Sequence, residues 1–295
     1  TTARLHRGNV AVVIPALNEA LRIDEVVSSA LDHCDHVIVV DDGSDDATAE
    51  IVAALPVTLL RHPQRMGKGA ALRAGFAEAR RRGFEAVVTM DGDGQHRASD
   101  IPRLIEAANR HPGCIVNGAR LRKRDTQPWY RRIGNDFGDW GIAWACGYRL
   151  VDSQSGQRLY PAPVLALEHV PGEGFVYEAQ ILISAARELG CGLVSVPVET
   201  RYRSADSDEQ FRQSHFRLVH DLYRITSHVT AQVLAQGDIV GRYRQLRRRP
   251  PGPGPEFLGV LRHRDGVQVR DEVEGVVAVL QVDPLLQGTE VVTQG

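Results

Sequence analysis

Cysteine is sparse in this chain of 295 residues, and the little there is does not cluster. Cys34, Cys114, Cys146 and Cys191 form no CxxC pair and no zinc spacing. That argues against a disulfide framework or a structural zinc site and fits reduced, mostly buried thiols. Long apolar runs are missing as well. None approaches the roughly 18 residues of a membrane-spanning helix, and the start Thr1-Thr2-Ala3-Arg4 has no apolar signal core. The expected location is cytoplasmic, with peripheral contact at the cytoplasmic face of the membrane left open. An excess of one charge is also lacking. The net charge is −2, so no global field favours nucleic acid. Two common nucleotide loops fail on spacing. A Walker A loop ending near Gly67 would need Gly at 62 and Ser or Thr at 69, where the chain has His62 and Gly69. A dinucleotide fingerprint from Gly67 or Gly92 would need Gly at 72 or 97, and these are Leu72 and Arg97.

What is present is a soluble-type composition, 43% hydrophobic and 24% charged. The length suits one large α/β domain with an appendage, or two small domains. From Val10 to about residue 120, short β-branched runs alternate with helical segments, the pattern of a parallel sheet wrapped by helices. Strands are predicted at Val10–Pro15, His36–Val40, Val57–Leu60, Glu85–Met90 and Cys114–Asn117. Helices are predicted at Glu19–Leu31, Asp45–Ala54, Lys68–Arg82 and, capped by Ser99, Ser99–Arg110. Beyond residue 129 the pattern loosens: a helix, a β section around Asp152–Tyr160, a helix at 177–189, a strand at 192–198 and a last helix near 214–236. That last helix is amphipathic. With Arg242, Arg244, Arg247, Arg248 and Arg249 it could rest on anionic lipid. Pro250-Pro251-Gly252-Pro253-Gly254-Pro255 then reads as a stiff linker.

The chemistry concentrates in Met90-Asp91-Gly92-Asp93-Gly94-Gln95-His96. Two carboxylates one residue apart at the carboxyl end of a strand lie where open α/β sheets bind ligands. On an extended backbone they point the same way and could share one hard cation, with Gln95 next on that face. Three more clusters follow strands: Pro15-Ala16-Leu17-Asn18-Glu19, Asp41-Asp42-Gly43-Ser44-Asp45-Asp46, and His62 to Gly69 with Lys68 entering a helix. Asp42 can accept hydrogen bonds from a ribose or base, and Lys68 can face a base or a phosphate. Asp45 or Asp46 also reads as a plain helix cap.

In this order and spacing, VVIPALNE, VIVVDDGSDDAT, GKGAALRAGF, VVTMDGDGQH, NGAR, DSQSGQRLY and VPVETRYR resemble the family 2 glycosyltransferases. The nearest branch is similar to the dolichyl-phosphate mannose synthases and polyprenyl-phosphate glycosyltransferases. The resemblance runs from Val10 to Ile225. It implies a GT-A fold, that is, a mostly parallel, Rossmann-like α/β sheet flanked by helices with an acceptor-side extension. It also implies a nucleotide-diphosphate sugar donor, a lipid-phosphate acceptor, inversion at the anomeric carbon, and Mg²⁺ or Mn²⁺. Residues 1–128 would be the nucleotide-sugar half and 129–240 the acceptor half of one domain. Residues 241–255 would form the linker and 256–295 a small β appendage or disordered tail. Carried over, Pro15, Leu17, Glu19, Asp42, Lys68, Asp91 and Arg203 would hold the donor. Asp93, with Asp91, Gln95 and His215, would hold the metal. Arg120, Arg131, Arg132 and Arg158 would meet the acceptor, and Asp91, Asp93, Asp152 and Arg158 would carry catalysis.

The chain departs from the branch at Gln157, where an aromatic is common, and at Gln213–Arg217, where the mannose synthases carry Gly-x-Ser-Lys. No Glu-Asp base motif stands between 129 and 150, which favours a phosphate acceptor over a hydroxyl. Three other readings stay open. One is transfer to a sugar or lipid hydroxyl, with Asp152 as base. Another is a sugar nucleotidyltransferase, although Pro15–Glu19 is not its Gly-rich basic loop. The last is a non-catalytic nucleotide-sugar sensor or scaffold.

Overall fold

The Val-rich runs 10–16 and 37–41 form interior strands of the sheet because, Pro15 and Asp41 apart, their residues are β-branched or small and apolar and are buried on both faces. The structure is a computed structural model. It describes residues 3–120, 139, 141–148, 150, 152–167, 169–172, 174–198, 227 and 231. Among these the strands are β1 (Val10–Ala16), β2 (Val37–Asp41), β3 (Thr58–Arg61), β4 (Ala86–Thr89), β5 (Ile115–Ala119), β6 (Arg158–Pro161) and β7 (Leu193–Pro197). The helices are α1 (Ile23–His33), α2 (Thr48–Ala53), α3 (Lys68–Arg81), α4 (Ile101–Arg110), a helical stretch at 141–146 (α5), α6 (Ala162–Leu165) and α7 (Phe175–Glu188).

The sheet runs β3-β2-β1-β4-β6-β5-β7. Strand β6 is antiparallel to both neighbours, and every other pairing is parallel. Two apolar layers cover it. Ala11, Val13, Ile38, Val40 and Val87 face α3, α5 and α7. Val10, Val12, Ile14, Val37, Val39 and Val88 face α1 and α4. This period-two division follows from the alternation of side chains along a strand. Each fully buried Val or Ile contributes about 1.5–3 kcal/mol. Helix α3 lies close on β1, because a Cβ on Gly75 would press into the Val13 side chain.

Among the described residues the predicted elements are present with shifted ends. Helix α1 starts at Ile23 rather than Glu19. Asn18 adopts φ +56°, and the N–H groups of Glu19 and Ala20 are spent on Thr48 Oγ1 and Asp46 Oδ2, at 2.8 and 3.2 Å. Helix α2 starts at Thr48, whose N–H donates to Asp46 Oδ1 at 3.0 Å. Ser99 does not cap α4: it sits in a 3₁₀ turn, Ala98–Asp100, ahead of it. Residues 152–157 are a loop, and the strand expected there begins only at Arg158.

The chain divides into two units, Thr1–Pro253 and Gly254–Gly295. The second part, the basic cluster at 242–249 and the helix near 214–236 lie outside the described residues, except for Ser227 and Ala231, which are helical. Among the described residues no helix is long and apolar enough to cross a membrane.

Candidate active site

Strand β1 pairs with β2 on one side and β4 on the other, so the strand order reverses there. The crevice at the carboxyl ends of β1, β2 and β4 is the expected binding place of such a sheet. Its first wall is a pair of interlocked loops. Asn18 N–H donates to Ser44 Oγ at 2.8 Å, and Asp45 N–H donates to Asn18 Oδ1 at 2.8 Å. Asp41, fully buried, accepts from Ser44 through both its N–H and its hydroxyl. Pro15, Leu17 and Glu19 are half-buried along this wall. A Cβ on Gly92 would lie 3.3 Å from Pro15 O and 3.5 Å from Glu19 Cγ, so the Asp91–Asp93 turn runs beside them.

Asp42 is 3% exposed. Its Oδ1 meets His62 Nδ1 at 2.7 Å and Met66 N–H at 2.9 Å, and its Oδ2 accepts from Gly67 N–H at 2.7 Å. In this structure the carboxylate therefore braces the 62–67 loop. That loop delivers Lys68 at the start of α3.

Lys68 Nζ lies 2.7 Å from Asp91 Oδ1 and 3.2 Å from Glu178 Oε2. Burial works against its charge. The two carboxylates outweigh that and push its pKa above the usual lysine range. Asp91 Oδ2 faces His96 Nε2 at 3.3 Å. Burial likewise disfavours the Asp91 carboxylate, but Lys68 and His96 hold it far below the usual range. Asp93 is different. Burial and the neighbouring Asp91 both raise its pKa, and among the described residues it makes no ion pair. Its Oδ1 accepts Gln95 N–H at 2.9 Å, and its carbonyl accepts Arg22 Nη1 at 3.1 Å. The two carboxylates are thus not equivalent: both Asp91 oxygens are in direct contact with Lys68 or His96, whereas Asp93 makes no ion pair among the described residues and feels those two groups only weakly. Among the described residues no three His, Cys, Asp or Glu side chains gather as a ready metal cluster. A half-buried carboxylate with no ion-pair partner among the described residues, two residues before Gln95, nevertheless fits a hard divalent ion.

On the other side of β4 a second cluster forms. Arg120 grips Asp152 with Nε–Oδ2 2.7 Å, Nη2–Oδ1 2.6 Å and its own N–H to Oδ2 at 2.8 Å. Burial opposes this charge, but Arg120 outweighs it and lowers the Asp152 pKa. Asp152 has φ +54°. Its N–H and that of Ser153 donate to Asp139 at 3.0 and 2.8 Å. Burial raises the Asp139 pKa to about 6. Arg158 is 1% exposed. Its Nε donates to Asn117 Oδ1 at 3.0 Å, its Nη1 to Tyr160 Oη at 3.1 Å, and its Nη2 to the Ser153 carbonyl. The expectation that Arg158 meets an acceptor phosphate does not match this placement, because its guanidinium is enclosed and engaged by protein groups.

Among the expected site residues, Asp42, Lys68, Asp91, Asp93 and Gln95 come together on the crevice, and Arg120 with Asp152 stands on the β5 side. Gln95 is exposed at the turn. Arg131, Arg132, Arg203 and His215 lie outside the described residues. Reading the sequence missed Glu178, Arg22 and the contact of His96; it noted Asp139 only as an available carboxylate, not its bonds to the Asp152 and Ser153 N–H groups. His96 adjoins Gln95 and could have been taken with it. Glu178 had no signal, since its partner is on another helix far along the chain.

An α/β sheet with a carboxylate-lined crevice at its order reversal is a ligand-binding scaffold of the Rossmann-like kind. The chain belongs to glycosyl transferase family 2, whose model matches residues 11–160. It is similar to the polyprenol monophosphomannose synthase of Mycolicibacterium smegmatis, 29% identical over 70% of this chain and 84% of that protein. It is also similar to the UDP-N-acetylglucosamine–dolichyl-phosphate N-acetylglucosaminyltransferase of Methanococcus voltae, 29% identical over 65% of this chain and 86% of that protein. Its fold resembles the solved glucosyl-3-phosphoglycerate synthase of Mycobacterium tuberculosis in complex with Mn²⁺, UDP and glucosyl-3-phosphoglycerate. There the TM-score is 0.53 and the identity 23%, covering 78% of this chain and 80% of that one. The protein is therefore an enzyme, a family 2 glycosyltransferase, with relatives that transfer sugars to lipid phosphates.

Proposed function

We propose that this enzyme moves a sugar, with inversion, from a nucleoside-diphosphate sugar to a polyprenyl phosphate, aided by a divalent metal. We place the reaction at the cytoplasmic face of the membrane. The observation that carries the donor side is the contrast between Asp91, paired with Lys68, and Asp93, which makes no ion pair among the described residues and whose charge burial and Asp91 disfavour. A Mg²⁺ or Mn²⁺ held by Asp93 and Gln95 would supply Lewis-acid compensation for the leaving diphosphate. Lys68 keeps Asp91 ionised and in place, as a hydrogen-bond acceptor for donor hydroxyls. The relative solved with Mn²⁺ and UDP supports this reading by analogy of fold.

The acceptor side rests on the state of the carboxylates. A phosphate with a second pKa near 6 is already a dianion at neutral pH and needs no base. Asp152 is locked by Arg120 and Glu178 is paired with Lys68, so neither is poised to take a proton. A hydroxyl acceptor remains the second reading; it would require Asp152 or Glu178 to give up its arginine or lysine partner before acting as base. The test uses purified enzyme, Mn²⁺, a panel of UDP-, GDP- and dTDP-sugars, and polyprenyl phosphate against the matching polyprenol. Nucleoside-diphosphate release with the phosphate alone is expected. Efficient transfer to the alcohol, with a pH limb set by a carboxylate, would overturn the phosphate reading.

A further inference from the structure

The antiparallel strand β6 stands between β4 and β5, and its register has a consequence for the donor carboxylate. Ala86 pairs with Pro161, Val87 with Tyr160, Val88 with Leu159 and Thr89 with Arg158. Continued two residues past Thr89, the same register sets Gly156 opposite Asp91. The side chains agree. A Cβ built on Gly156 would lie 2.9 Å from Asp91 Cγ and 3.0 Å from Asp91 Oδ1. Real Cβ atoms essentially never come that close to another heavy atom, so the carboxylate would have to shift. The space for the Asp91 carboxylate is the space of the missing side chain at 156.

The turn that carries Gly156 is held from behind. Thr89 Oγ1 donates to Gly156 O at 2.8 Å, and Arg158 N–H donates back to Thr89 Oγ1 at 3.3 Å. The buried Arg158 guanidinium ties Ser153 O, Asn117 and Tyr160 together. Asn117 Nδ2 in turn reaches Asp152 O at 3.1 Å. The loop from 152 to 157 is thus a rigid wall against Asp91, built from β5, β6 and β4.

We infer that the Asp152-x-x-x-Gly156-x-Arg158 element serves the donor side. Gly156 is a positioning residue that makes the seat of Asp91, and Arg158 is a positioning residue that holds that seat. This rests on the proposed role of Asp91 toward the donor. It reverses the expectation that Arg158 binds the acceptor phosphate.

The test is Gly156→Ala, with Arg158→Lys as the second variant. The atoms crowded by the new Cβ are the end of the Asp91 side chain, so the fold is expected to survive while the carboxylate moves. Ligand-free crystal structures of wild type and Gly156→Ala read this directly. The expected result is loss of the 2.7 Å Lys68–Asp91 contact, with β4 and β6 superposing. Kinetics with the preferred nucleoside-diphosphate sugar should then show donor kcat/KM falling by about tenfold or more, with the KM for polyprenyl phosphate within about twofold of wild type. Arg158→Lys should give the same split in smaller measure, since Lys cannot reproduce the guanidinium fork. An unmoved Asp91 in Gly156→Ala would overturn the inference. So would a raised acceptor KM with donor constants unchanged. If the wild type uses no nucleotide sugar, the proposed function fails, and the crystal structures still decide whether Gly156 seats Asp91.

Discussion

Lys68 Nζ stands 2.7 Å from Asp91 Oδ1 and bridges to Glu178, tying the start of α3 to the end of β4 and to α7. The ammonium lies between two carboxylates, and its removal leaves Asp91 and Glu178 without it. Lys68→Met is expected to cost about 2 kcal/mol of stability, below the 3–5 of a fully buried pair because both partners keep some solvent. Turnover should fall together with stability. Denaturant unfolding of the variant checks the first figure. A midpoint equal to wild type would mean the two carboxylates relax into water without the lysine.

Asp93 predicts the opposite sign. Burial and Asp91 make its charge unfavourable in the metal-free protein. Asp93→Asn should therefore leave the metal-free melting temperature unchanged or slightly raised. It should abolish both turnover and the rise in melting temperature that Mn²⁺ gives to wild type. Chelator should silence wild type, and Mn²⁺ should restore it. Full activity in EDTA would refute a metal role.

Asp152 occupies a left-handed conformation, φ +54°, while accepting three bonds from Arg120. Asn adopts that backbone readily and Ala does not. Asp152→Asn is thus expected to destabilise by about 1–2 kcal/mol through the weakened charge-assisted pair. Asp152→Ala should lose about 1 kcal/mol more from the backbone. If Asp152 is not a base, the Asn variant should keep the acid limb of the wild-type pH–rate profile. Disappearance of that limb would make Asp152 the proton acceptor.

Asp139 provides a pH signature. Its carboxyl pKa is raised by burial to about 6, above the roughly 3.9 of an unfolded Asp. Between those values the folded state binds the extra proton. This group's contribution to stability is full below the unfolded pKa and is lost as pH rises through about 6. A carboxyl carbon resonance of Asp139 should titrate with its midpoint near that value. A midpoint at the ordinary Asp position would show that water reaches the carboxyl.

The sequence alone determined the features whose causes are local. Buried strands announce themselves by β-branched runs, so β1, β2 and β4 were legible to within a residue or two. Their ends carry Asp42, Asp91 and Asp93, so the crevice was legible too. Helix starts were less so, because Asn18, Asp46 and Thr48 draw backbone donors into loop contacts that no periodicity encodes. The tertiary structure alone decided what each charged group does. Asp91 and Asp93 look alike in the chain, yet only Asp91 receives Lys68, because α3 is brought over β1 by the close approach at Gly75. Arg158 reads as a surface cation for a phosphate, yet β6 enters the sheet between β4 and β5 and encloses it. That same insertion sets Gly156 across from Asp91. Charge, reach and pKa depend on neighbours through space, and those neighbours come from strands and helices far apart in the chain.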